Sequence, residues 1–136
     1  MRLNAHLVFN GDCRDAFEYY EKHLGGKIGF IMTYGESPMA TQTAPEQHAK
    51  ILHASLTIGN ELLTGADAPP SAYQKPQGNS LLFSVDDAAE ADRIFQTLAE
   101  NGTVQMPVQE TFWALRFGML VDRFGTPWMI NCSRPA

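Results

Sequence analysis

The sequence is poor in several things that would otherwise point to a function. It has only two cysteines, Cys13 and Cys132, near opposite ends of the chain. They form no C-x-x-C pair, which argues against a structural zinc site of cysteines. Two free thiols are the expectation, although spacing alone leaves a disulfide open. Lys and Arg total ten against fifteen Asp and Glu, a net charge of −5. The basic residues are scattered, so nucleic acid is not an expected partner. No apolar run approaches the ~18–20 residues that span a bilayer, and the opening residues 1–11 carry no secretory pattern. No membrane partner and a cytoplasmic location are therefore expected. The tight glycine cluster, Gly25-Gly26 with Gly29, follows a helix instead of opening one, so no phosphate cradle is implied.

What is present is a regular alternation of short elements, with 44% hydrophobic residues to build a core. The chain is organised around residues 112–132. A strand near 114–121, the turn Asp122-Arg123-Phe124-Gly125 and a strand near 127–133 form a hairpin framed by Trp113 and Trp128. Upstream, residues 3–9 read as a strand, and Asp12 as the N-cap of a helix over Cys13–Leu24 that Gly25-Gly26 stops. A strand follows at 27–34. Residues 35–50, polar and holding Pro38 and Pro45, read as a long mobile loop. Ile51–Ile58 alternates strictly, with Leu52, Ala54, Leu56 and Ile58 on one face and His53, Ser55 and Thr57 on the other. Gly59-Asn60 turns it back into Glu61–Thr64.

After a proline-bearing linker at 66–78 the order starts again. Residues 79–85 read as a strand, Asp86 and Asp87 as caps, and 88–101 as a helix burying Ala91, Ile94, Phe95 and Leu98, which Gly102 ends. Thr103–Gln109, with Pro107, reads as an edge strand. The pattern is βαβββ written twice. This predicts an α+β fold in which two such units form a cupped mixed β-sheet with helices on the outer face. The domain covers 1–136, with repeat one at 1–65, the linker at 66–78 and repeat two at 79–136.

This order resembles the vicinal oxygen chelate superfamily, which includes glyoxalase I, the fosfomycin resistance proteins and the extradiol dioxygenases. The residues resemble its PhnB-like branch in particular. They are Phe9-Asn10-Gly11, Ala16-Phe17, Tyr20, Leu24-Gly25-Gly26, Ile51-Leu52-His53-Ala54, Phe112-Trp113, Gly118, Asp122-Arg123-Phe124-Gly125 and Trp128. Members of that branch are often described as resembling a demethylubiquinone methyltransferase. The sequence offers no glycine-rich strand-turn-helix suited to a dinucleotide-like cofactor. The resemblance also implies a homodimer, which edge strands in need of cover would suit.

Metal-dependent members of the superfamily carry His, Gln or Glu at four inward positions. Matched here, these fall near Ala5, Ser55, Asn79 and Asn131, a poor set for a divalent transition metal. The expectation is therefore no metal and no other cofactor. A register one residue away would bring in His6 or shift to His53, and so leaves a divalent metal open.

His53 is the candidate catalytic residue, as a proton carrier; the alternative is a half-exposed histidine bonded to a neighbour. Arg116 reads as the counterpart of His53 in the second repeat. It is a candidate for holding an anionic group, or else a surface or salt-bridged arginine. Trp113, Asn79, Asn131 and Ser55 complete the candidate ligand-binding set. Phe112 and Trp113 form either an aromatic wall or core. Asp122 reads as a turn former, with a general base as the outside reading. His23 is expected to serve its helix end, His48 to sit in the loop, and Cys13 to be a small core residue or a thiol of lowered pKa.

The function expected is metal-free binding of a small molecule in the cup. The alternatives are a lyase, isomerase or transferase of the glyoxalase or fosfomycin-resistance kind, using His53 or a recruited metal, and a purely structural dimer.

Overall fold

The protein is described by a computed structural model that covers residues 1–135. The chain divides into two compact units, Met1–Gln74 and Lys75–Ala136.

In the first unit the order is β1 (Ala5–Phe9), α1 (Cys13–His23), β2 (Gly26–Thr33), β3 (Ile51–Ile58) and β4 (Glu61–Asp67). The sheet runs β1-β4-β3-β2, with β1 parallel to β4 and the other pairs antiparallel. Helix α1 covers one face with Cys13, Ala16, Phe17 and Tyr20, all fully buried. Under it lies the cross-strand row Leu7–Gly65–Ala54–Ile31. Gly65 is required there: a Cβ on it would stand 2.7 Å from the Phe17 ring.

The cap of α1 differs from the sequence expectation. Asp12 makes no side-chain cap bond. Instead the carboxylate of Asp67, at the end of β4, accepts from Gly11 N–H (3.0 Å) and Cys13 N–H (2.9 Å) through Oδ1. Its Oδ2 accepts from Ile51 N–H at 2.8 Å. A buried carboxylate needs such donors, and Asp67 is 2% exposed. Strand β4 therefore runs beyond Thr64 and takes in residues that the sequence assigned to the linker.

The expected mobile loop at 35–50 is also different: it is folded on itself. Two short 3-10 turns, Pro38–Gln42 and Pro45–Gln47, sit inside it. His48 Nε2 donates to the carbonyls of Ala40 (3.0 Å) and Thr43 (2.9 Å). Backbone bonds Tyr34 N–H to Lys50 O and Gly35 N–H to His48 O, both 2.9 Å, zip its ends together. Lys50 Nζ then reaches Gly11 O at 3.0 Å.

In the second unit the order is β5 (Leu81–Val85), α2 (Ala88–Ala99), β6 (Thr103–Gln109), β7 (Ala114–Val121) and β8 (Pro127–Ser133). The sheet runs β5-β8-β7-β6, the same topology as the first, with β6 at an edge as Pro107 predicts. Asp87 caps α2, accepting from Glu90 N–H at 3.0 Å. The helix stops two residues short of Asn101, which takes the left-handed conformation (φ 59°) expected of the following glycine. Ala91, Ile94, Phe95 and Leu98 are its buried face, as expected. Gly118 lies beneath Phe95; a Cβ there would be 2.6 Å from the ring and 2.9 Å from the Val108 backbone. Asp122 is the turn former of the β7–β8 hairpin. Its Oδ1 accepts from Phe124 and Thr126 N–H (2.9 and 3.0 Å), and its Oδ2 from the buried indole N–H of Trp128 at 2.8 Å.

Candidate functional site

With one face of each sheet committed to its helix, chemistry is left to the opposite face. Strand pairing decides which residues stand there. In the first unit His6 is paired with Thr64, Thr64 with Ser55, and Ser55 with Phe30. Paired residues point the same way, so these four form one row across the sheet. Met32 and His53 are paired in the next. Alternation along β1 and β3 puts both rows on the face turned away from α1.

The row is hydrogen-bonded internally. His6 Nδ1 is 2.7 Å from Thr64 Oγ1. Ser55 Oγ accepts from Phe30 N–H at 3.0 Å, where the register shift at Gly29 frees that donor. The His53 ring lies 5.8 Å from the ring of Phe30, itself 47% exposed. Partial burial, and secondarily the positive charge that His53 carries when protonated, hold the His6 pKa below its ordinary value. At neutral pH the row therefore offers a neutral imidazole, two hydroxyls and an aromatic ring.

Three sequence expectations need correction. The first-strand residue on the open face is His6, the register the sequence left open, and not Ala5, because Ala5 belongs to the helix-side row with Leu63 and Leu56. Asn79 is exposed and precedes β5, so it stands on no strand position. Arg116 is not the counterpart of His53. Leu56 pairs with Leu63 and Leu63 with Ala5, while Leu120 pairs with Trp128 and Trp128 with Leu81. Leu56 and Leu120 are thus equivalent, and counting back makes Phe117 the match of His53. Arg116 lies on the helix side, where Nε meets Asp92 Oδ1 of α2 at 3.0 Å.

The remaining candidates separate. Asn131 is on β8, half-buried, paired with Phe117 and donating to Ser133 Oγ at 3.1 Å. Trp113 is not core: it is 47% exposed, packed edge-on against Phe112 (4.7 Å) and Phe117 (5.4 Å). His23 stacks on Tyr19 at 4.3 Å, in the last turn of α1. Cys13 opens α1 and is buried against the sheet; burial, then the nearby Asp67 and Asp12 charges, push its pKa up to about 12. It is a core thiol, not a nucleophile.

The row of the second unit that matches His6–Thr64–Ser55 is Leu82–Met129–Met119, extended by Met106. Sequence reasoning missed it because the methionines lie on three different strands and only the register aligns them. Among the described residues, no three His, Cys, Asp or Glu side chains gather as a metal site. In the first unit, His6 with two hydroxyls does not make the imidazole and carboxylate set that suits the divalent transition metal the superfamily resemblance implies. At the start of α1 the N–H groups of Gly11 and Cys13 already serve the Asp67 carboxylate.

The sequence profile of the family described as 3-demethylubiquinone-9 3-methyltransferase matches residues 1–131. The chain belongs to this family. Protein YjdN of Escherichia coli K12 is 37% identical over 139 residues, covering 96% of this chain and 95% of YjdN. The crystal structure of PA1353 from Pseudomonas aeruginosa is similar at 43% identity and TM-score 0.91, over 99% of both chains. A PhnB protein from Bacillus cereus shares the fold at 22% identity and TM-score 0.84, over 98% of this chain and all of that one. The Listeria monocytogenes fosfomycin resistance protein FosX shares it at 7% identity and TM-score 0.66, over 98% and 93%. The fold is thus one that PhnB and FosX proteins share, in keeping with the resemblance carried by the motifs. Among the described residues of this family member, no helix is long and apolar enough to cross a membrane.

Proposed function

We propose that this PhnB-like protein binds a small polar molecule with an aromatic or unsaturated portion, without a metal, on the open face of its first unit. The observation that carries the reading is the row His6–Thr64–Ser55–Phe30 with His53 beside it. Two imidazoles and two hydroxyls on one sheet face supply neutral donors and acceptors, and Phe30 supplies an apolar platform. Binding sites commonly combine a few convergent polar groups with an aromatic wall. The proposal includes a homodimer, which light scattering of the purified protein tests. Methyl transfer is not part of it.

A second reading has a specific observation behind it. Burial, and then the charge of the nearby His53, lower the pKa of His6. A neutral His6 beside a second imidazole sets two acid-base groups on one face, so lyase, isomerase or transferase chemistry with His53 as proton carrier is the enzymatic form of the same site.

Saturation titration against a library of small aromatic acids, alcohols and phosphonates, followed by isothermal calorimetry in the presence of a chelator, tests the first reading. Binding that survives the chelator and is lost in His6→Ala and Ser55→Ala supports it. Binding unaffected by both substitutions would sink it. For the second reading, His53→Ala should remove any turnover found, and an unchanged rate would end that assignment.

A further inference from the structure

We propose that the methionine row of the second unit is a binding site for a soft monovalent cation, Cu(I) or its analogue Ag(I). Met119 pairs with Met129 in uninterrupted register, and Met106 pairs with Met119 between two register shifts of the edge strand, so the three stand on successive strands. Directly paired residues hold their Cβ atoms roughly 4.5–5.5 Å apart on the same face. Alternation fixes that face. Gly118 and Leu120 lie under α2, and Trp128 and Ile130 on the neighbouring strand are also buried, so Met119 and Met129 stand on the opposite side. All three methionines are half-buried, shielded but reachable.

The residue type is what makes this a site and not merely apolar cover. Methionine is a weak choice for strand interiors, where β-branched and aromatic residues pack better. The helix-side row of the same sheet uses Phe83 and Ile130. Each methionine has three rotatable bonds and a polarisable thioether, so three neighbours can bring their sulfurs to a common point. Thioethers are soft donors that select Cu(I), and they offer nothing to Mg²⁺, Ca²⁺ or Zn²⁺. Half of the chain's six methionines are in this one row. The matching row of the first unit, with imidazole and hydroxyls, has no thioether. Binding changes no bond and needs no electron: the cation exchanges water or chelator for sulfur.

The test uses the full chain with methionine methyl groups isotopically labelled. Ag(I) is titrated first, because it needs no reductant. Cu(I) follows anaerobically against a chromophoric Cu(I) chelator. One retained equivalent is expected, with the methyl signals of Met106, Met119 and Met129 shifted and those of Met1, Met32 and Met39 unmoved. Met119→Leu and Met129→Leu preserve volume and packing, and each should weaken retention at least tenfold. Failure to retain the ion against the chelator would overturn the proposal. So would shifts spread over all six methyl groups, undiminished binding in the doubly substituted chain, or loss of binding on Cys132→Ala with the methyl signals otherwise intact.

Discussion

Across its open face the first unit sets His6, Thr64, Ser55 and Phe30; across the matching row the second sets Leu82, Met129, Met119 and Met106. The helix-side rows have not diverged in this way. Leu7–Gly65–Ala54 and Phe83–Ile130–Gly118 are both apolar, and each contains one glycine beneath a phenylalanine of its helix. The glycine has changed strand, from β4 to β7, and the recess it leaves persists. Close packing constrains the covered face to shape and apolarity. The other face is free to vary its chemistry, and there the two units part.

The largest expected effect comes from the buried carboxylates that tie each unit together. Asp67→Ala strands three backbone donors and should cost about 3–5 kcal/mol in chemical denaturation. Asp122→Ala strands two backbone donors and the Trp128 indole, which as a side chain can turn toward another acceptor, and should cost about 2–4 kcal/mol. A larger loss at Asp122 would reverse the order of the two units.

Next come the glycines. Gly118→Ala meets both a ring and backbone, whereas Gly65→Ala meets the Phe17 ring and the edge of Cys13. Overpacking costs roughly 1–3 kcal/mol, and Gly118→Ala should stand at the upper end because backbone cannot rotate away. Equal melting temperatures for the two variants would show that the rings, not the backbone, set the limit.

The smallest effect is the pH dependence of His6, which has no counterpart at Leu82. Its folded pKa lies below the ordinary 6.5, so below that pH the unfolded chain binds more protons than the folded one. Its contribution is complete above about pH 6.5 and is lost as the pH falls through the lowered folded value. His6→Gln should flatten the stability profile across that window, as equilibrium unfolding at a series of pH values will show.

Much of this architecture is legible in the residues. Turn chemistry at Gly59-Asn60 and Asp122–Gly125, the alternation of Ile51–Ile58 and the helical spacing of Ala91, Ile94, Phe95 and Leu98 are local signals, and the structure follows them. What escaped was set by distant partners. Asp67 could not be read as the cap of α1 because the groups it serves are more than fifty residues upstream. His48 could not be read as the pin of its loop, because its acceptors are backbone carbonyls that every residue carries. Arg116 was misassigned because it and His53 are each the third residue of their strands, whereas the pairing of Leu120 with Trp128 sets the equivalence one residue later, at Phe117. The same pairing rule moved the first-strand position from Ala5 to His6.

The anchoring of α1 by Asp67 has a consequence for how the chain acquires its shape during synthesis. The first helix emerges from the ribosome long before its carboxylate does, and an eleven-residue helix is marginal by itself in water. Nascent chains ending short of residue 67 should therefore show frayed helix and open amides at Gly11, Cys13 and Ile51, all closing together once the fourth strand is translated.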